Sequence, residues 1–198
     1  MNSIEQYKIL EKLLLIIENE ILPKTHIGVS LGNKIFGAAI LLKSNLKVVV
    51  AETNNELQNP LFHGEINCLN AFFAKVRKIE THQLIFLSTH EPCSMCLSAI
   101  TWAGFDKIYY FFSHENSRDN FNIPHDLKIF KELFNIEPGG YNKENAFLSC
   151  ESIIGSIEKL NFDERKLLTR RVVKLQSEYE SLSSIYQKNK AQNAIPLK

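Results

Sequence analysis

The sequence has no apolar run of about 18 residues, so no helix able to cross a bilayer is expected. Its opening stretch, MNSIEQYKILEKLLLIIENE, is apolar but carries Glu5, Lys8, Glu11, Lys12, Glu18 and Glu20. It has no basic start and no small-residue cleavage site, so it does not read as a signal peptide, and a cytoplasmic location is expected. Charge of one sign is missing too: the formal net charge is +1, which gives no global field for nucleic acid or an anionic membrane. Cysteine is scarce. Four in 198 residues (Cys68, Cys93, Cys96, Cys150) are too few for a secreted disulfide scaffold. No repeat and no low-complexity tract interrupts the chain. A hydrophobic content of 44% is enough for one sizeable folded domain, with or without an extension.

Apolar residues at steps of three and four predict a helix over 4–22, ended by Pro23, and 27–31 reads as a short strand. Two apolar runs broken by Lys43-Ser44-Asn45 predict a hairpin of strands at 35–42 and 46–53. A polar loop, NNELQNP, leads to a helix from Gly64 to about Lys78. A buried strand (84–89), a helix (93–103) and another strand (107–112) follow. This alternation implies helices on a sheet whose later strands are parallel. Residues 114–126 read as loop, DLKIFKELF as a short helix and EPGGYNKEN as a turn region. Residues 156–188 read as helix, with Asn161 and Glu164 forming a capping box, and the last eight residues as a frayed tail. The expected organisation is a domain over 1–155, a helical extension over 156–190 and a flexible tail over 191–198.

The chemistry concentrates in THEPCSMCLSAITWAG. Cys93 and Cys96 have metal-ligand spacing, but two thiolates do not complete a zinc site. Alone, the pair reads equally well as buried or redox cysteines. The chain also holds His63-Gly64-Glu65 at the start of the preceding predicted helix. The whole pattern, H-x-E then P-C-x-x-C, is the zinc-deaminase signature. One His and two Cys leave one of four tetrahedral positions open, as in catalytic sites. Helix N-termini at both ligand groups favour thiolate over thiol. Two thiolates also neutralise Zn²⁺, so a nearby base is needed to activate water. Glu65 fits that role: it takes the water's proton, gives it to a ring nitrogen, and then protonates the departing amine, which leaves as ammonia. Cys68, more than a turn beyond His63, is read as core, and Cys150 as a buried small hydrophobe.

Residues 35–112 resemble the cytidine deaminase-like superfamily. STHEPCSMCLSAITWAG followed by a strand is similar to bacterial guanine deaminases and, less closely, to tRNA adenosine deaminases. HGEINCL is similar to the fungal type of cytosine deaminase. The resemblance implies a three-layer α/β/α sandwich around a five-stranded mixed sheet, with a C-terminal helical extension here. It implies one Zn²⁺ per chain on His63, Cys93 and Cys96, and often a homodimer. It further implies substrate contacts from Asn54, with Asn55 as a competing register, and from the backbone amide at Gly64. His114 and Asp119 lie where relatives place specificity residues, and Phe36 and Phe62 are candidates to stack on a base.

Three functions follow as expectations. The first is hydrolytic deamination of a free nucleobase or nucleoside, guanine-like or cytosine-like. The second is adenosine-to-inosine deamination in tRNA, for which the basic residues from Arg165 onward offer a phosphate track. The same run reads as an ordinary solvated face. The third is a non-catalytic binding protein on a deaminase fold.

Overall fold

The structure is a computed structural model, and it describes residues 3–75, 79–137 and 140–198. Its centre is a five-stranded sheet in the order β2-β1-β3-β4-β5. The strands are β1 (Gly37–Leu42), β2 (Val48–Thr53), β3 (Leu84–His90), β4 (Lys107–Phe112) and β5 (Ser149–Ser152). β1 runs antiparallel to β2 and β3, whereas β3, β4 and β5 are parallel. All seven residues of β3 are buried, as expected of a strand covered on both faces.

On one face lie α3 (Gly64–Lys75) and α4 (Ser94–Trp102), packed through Cys68, Leu69, Phe72 and Ile100 against Ile40, Phe86 and Ile108. On the other lie α1 (Ser3–Ile16), α7 (Ile153–Ile157) and α8 (Phe162–Asn189). There Leu13, Leu14 and Ile17 share one core with Leu175, Tyr179, Leu182 and Tyr186. Each such aliphatic side chain contributes roughly 1.5–3 kcal/mol on burial. This is the expected three-layer α/β/α sandwich with a five-stranded mixed sheet. The residues expected as an extension pack into that core through Leu168, Val172, Leu175, Tyr179, Leu182 and Tyr186. Of the residues expected as a tail, Ile195 is buried, at 2% exposed, and most of its neighbours are exposed. Among the described residues, no helix is long and apolar enough to cross a membrane.

Several local expectations are corrected. Pro23 does not end the first helix. A π-helical turn at Ile17–Ile21, closed by Leu22 N–H donating to Ile17 O, carries the chain into α2 (Leu22–Ser30), and Pro23 follows directly after that turn. Residues 27–31 are therefore mostly helical rather than a strand. The reading of 114–126 as loop missed α5 (His114–Asp119), nucleated by a reciprocal capping box between Ser113 and Asn116. The short helix read at DLKIFKELF is α6 (His125–Phe134). The single helix read over 156–188 is two, α7 and α8. Asn161 caps α8, its Oδ1 accepting from Glu164 N at 3.0 Å. The end of the helix read to Lys78 lies outside the described residues.

Candidate metal centre and its cavity

The ends of β3 and α3 bring the signature together. Gly64 opens α3 against β1 at very close range: a Cβ on Gly64 would lie 2.6 Å from Gly37 Cα. That approach seats His63 and Glu65 over the sheet. Cys93 follows β3 and forms the N-cap of α4, its sulfur accepting from Cys96 N at 3.5 Å. His63 Nδ1 lies 3.6 Å from Cys93 Sγ and 3.7 Å from Cys96 Sγ. A tetrahedral zinc with ordinary Zn–S and Zn–N bonds separates such atoms by about 3.5–3.6 Å, so the donor set fits the ion as it stands. Among the described residues, these three form the one group of His, Cys, Asp or Glu side chains spaced to hold a metal.

Burial pulls the His63 pKa down, but the Cys93 thiolate hydrogen-bonded to it outweighs this and lifts it to about 9. A hydrogen bond from Cys96, with the His63 charge beside it, holds Cys93 well below the usual thiol range. Burial pushes Cys96 well above it. The two sulfurs are thus pushed in opposite directions. Glu65 is 4% exposed. Its Oε1 accepts from Ser88 Oγ at 2.8 Å and its Oε2 lies 3.4 Å from Cys96 Sγ. Burial, then the Cys93 charge, raises its pKa.

His63 and Cys93 form one wall of a cavity of about 320 Å³. Phe36, Lys34 and Glu56 line it near the sheet, His125 and Asp126 line it from α6, and Ile195, Pro196 and Leu197 form its roof. Asp126 stands in the first turn of α6, and burial together with the Cys93 charge raises its carboxyl pKa to about 8.

The expected substrate contacts divide. Phe36 lines the cavity, edge-on to His90 at 4.5 Å between ring centres. Asn54 and Gly64 do not: Asn54 Oδ1 accepts from Gly64 N at 2.6 Å and Asn54 Nδ2 donates to Glu56 Oε2 at 2.8 Å, so the two groups satisfy each other and the loop. Asn55 closes a turn by donating to Gln58 at 2.6 Å. Phe62 is absent from the lining, its backbone tying the loop at Asn55 and Asn59. His114 is buried away from the cavity, where its ring nitrogen contacts Pro92 O at 3.1 Å and its N–H donates to Glu91. Asp119 is exposed and paired with Arg118 at 2.6 Å. Neither His114 nor Asp119 is among the residues lining this cavity.

Reading the sequence missed Ser88, Lys34, Glu56 and Asp126. A serine inside the buried run LIFLST was a signal for Ser88, and Asp126 just after Pro124 at a helix start was one for itself. Nothing local marked Lys34 or Glu56.

Residues 24–112 match the family model described as the cytidine and deoxycytidylate deaminase zinc-binding region. A tRNA-specific adenosine deaminase of Rickettsia felis is 32% identical over 76 residues, 37% of this chain and 53% of that protein. A guanine deaminase of Bacillus subtilis is 28% identical over 102 residues, 50% of this chain and 62% of that protein. The chain spans about half the length of the tRNA-specific relatives it matches first. A solved structure of guanine deaminase from Nitrosomonas europaea shares the fold, with a TM-score of 0.51 at 16% identity over 81% of both chains. The resemblance to the cytidine deaminase-like superfamily is borne out, and so is the assignment of His63, Cys93 and Cys96 as a set that fits zinc.

Proposed function

We propose that this chain is a zinc-dependent hydrolase that removes an amine from a free nucleobase or nucleoside, with a guanine-like lactam base favoured. The observation that carries the reading is the cavity. It is about 320 Å³, bounded by His63 and Cys93 on one side and roofed by Ile195, Pro196 and Leu197 on the other. That is the low end of ligand-site volumes, a size that takes one planar heterocycle.

His63, Cys93 and Cys96 would hold the ion, which when bound supplies Lewis acidity and brings the pKa of water toward roughly 7. Glu65 is the proton carrier. Ser88 fixes one of its oxygens at 2.8 Å, leaving the other, beside the ligands, to accept a proton from water and return it to the substrate. Burial raises its pKa, the direction that favours a group that must both take and give a proton. Phe36 offers a ring face to the base. Asp126 adds a carboxyl to the cavity lining, which in its ionised form can accept from the adjacent ring N–H and exocyclic amine of a lactam purine. Ile195 adds a buried apolar side chain to the lining.

A second reading, adenosine deamination in tRNA, is favoured by the 32% identity to proteins of that name, and the sequence comparisons do not separate the two readings. The basic stretch gives it less support. Arg171 and Lys174 are both engaged by Glu18 of the π-helical turn. Arg165, Lys166 and Arg170 stand near the start of α8, whereas the tail that roofs the cavity follows its other end, Asn189.

Ammonia release by the zinc-replete protein tests both readings. The panel is cytosine, guanine, adenine, their nucleosides and a tRNA anticodon stem-loop, with Glu65→Ala as the blank. Turnover of a free base or nucleoside is expected. Turnover of the stem-loop alone would replace the first reading with the second. Silence across the panel with zinc bound would overturn both and favour a binding protein.

A further inference from the structure

The loop that delivers His63 is folded around one carboxylate. Glu56 is 3% exposed. Its Oε1 accepts from Lys34 Nζ at 2.7 Å, and its Oε2 accepts from Lys34 N at 3.3 Å and from Asn54 Nδ2 at 2.8 Å. Lys34 is itself only 5% exposed. Asn33 Oδ1 accepts from Leu57 N at 3.1 Å, so the segment before β1 and the segment after β2 are laced side by side. Removing two charges from water is costly, and a buried pair of this kind is weak evidence of a stabilising purpose. The same Glu56 Oε1 lies 3.7 Å from Nε2 of His63. A neutral imidazole carries one N–H, so a His63 that ligates through Nδ1 has its proton on Nε2, facing this carboxylate. Metal-ligating histidines commonly give their second N–H to a carboxylate, which sets the tautomer, holds the ring and strengthens the donor nitrogen.

We propose that Glu56 is a positioning residue for the metal ligand His63, with Lys34 as the counter-ion that keeps Glu56 in place. The proposal rests on the zinc reading of His63, Cys93 and Cys96. It places Lys34, Asn54 and Glu56 in one chain of contacts that ends on the ligand ring, and gives Asn54 a task inside the protein.

The test is the zinc dissociation constant of the full chain, read by competition with a chromophoric chelator, for wild type and Glu56→Gln. Gln retains the size of Glu but carries no charge, and it cannot accept at both of its ends. A loss of affinity of about 10- to 100-fold is expected. The Nε2 proton of His63, followed by nitrogen-15 NMR of the zinc-loaded proteins, is expected to shift in the variant. Should Glu56→Gln fail to fold, Lys34→Met with Glu56→Met removes the whole pair, a replacement that buried ion pairs often tolerate, and carries the same expectation. Equal zinc affinity with an unmoved Nε2 signal would overturn the proposal while leaving the zinc reading intact. A wild type that binds no zinc would overturn both.

Discussion

Ser88 Oγ donates to Glu65 Oε1 at 2.8 Å, joining the middle of the sheet to the first turn of the helix that follows His63. The hydrogen bond fixes which oxygen of Glu65 is free for proton transfer. A hydrogen bond to a charged group contributes about 1.5–3 kcal/mol. Ser88→Ala is therefore expected to lower kcat by roughly 10- to 100-fold while zinc content stays at the wild-type level. Steady-state kinetics with a parallel metal assay reads both, and an unchanged kcat would remove Ser88 from the account.

Zinc loading is expected to release protons. In the metal-free protein His63 stays protonated up to about 9, and burial keeps Cys96 a thiol. Both protons must leave before these groups ligate. Zinc affinity should therefore strengthen from pH 6 to pH 8, with proton release visible by calorimetry in buffers of different ionisation heat. The fold follows the opposite sign for His63. Its pKa is raised from 6.5, so its contribution to metal-free stability is fully present below 6.5 and is lost as pH rises through about 9. A pH-independent zinc affinity would contradict this.

The contact between Gly64 and Gly37 leaves no room for a methyl group. Gly64→Ala would push a Cβ to 2.6 Å from the Gly37 backbone, and backbone cannot turn aside as a side chain does. A loss of about 1–3 kcal/mol is expected, as for other overpacked cores. At roughly 2–4 °C per kcal/mol for a chain of this size, the fall in Tm is measurable by calorimetry. A Tm equal to wild type would mean that α3 can move off β1 freely.

The roof of the cavity makes a separate prediction. Ile195 is buried against the cavity, so Ile195→Asp should lift the segment away. KM for the small substrate is expected to rise about tenfold or more, in keeping with the ~1.5–3 kcal/mol carried by one buried aliphatic side chain. Zinc content should hold. An unchanged KM would show that Ile195–Leu197 do not shape the site.

Most of what the sequence made legible was periodic or punctuated. The hairpin, β3, β4, α3 and α4 follow from runs of apolar residues and from the ligand signature, which fixed the metal set before any geometry was known. The Asn161 cap marked where α8 begins. What stayed hidden depended on contacts far apart in the chain. β5 is four residues with two serines and a glutamate, too short and too polar to show a period, and parallel pairing with β4 is what makes it a strand. Pro23 was read as a terminator because a π-turn that absorbs it leaves no local mark. Lys34 and Glu56 are ordinary charged loop residues until folding buries them against each other. His114 and Asp119 show the converse: both occupy the expected segment, but the capping box at Ser113 winds it into a helix that turns His114 toward Glu91 and Pro92 and leaves Asp119 in solvent.

The most direct test of the account pairs zinc content with turnover in wild type and Glu65→Gln, on whichever base or nucleoside the panel identifies. The account predicts one zinc per chain in both proteins, ammonia release by wild type, and a loss of at least about 100-fold in Glu65→Gln, the scale of a missing general acid–base group. Full turnover by Glu65→Gln, or wild-type turnover undiminished after the metal is stripped, would contradict it.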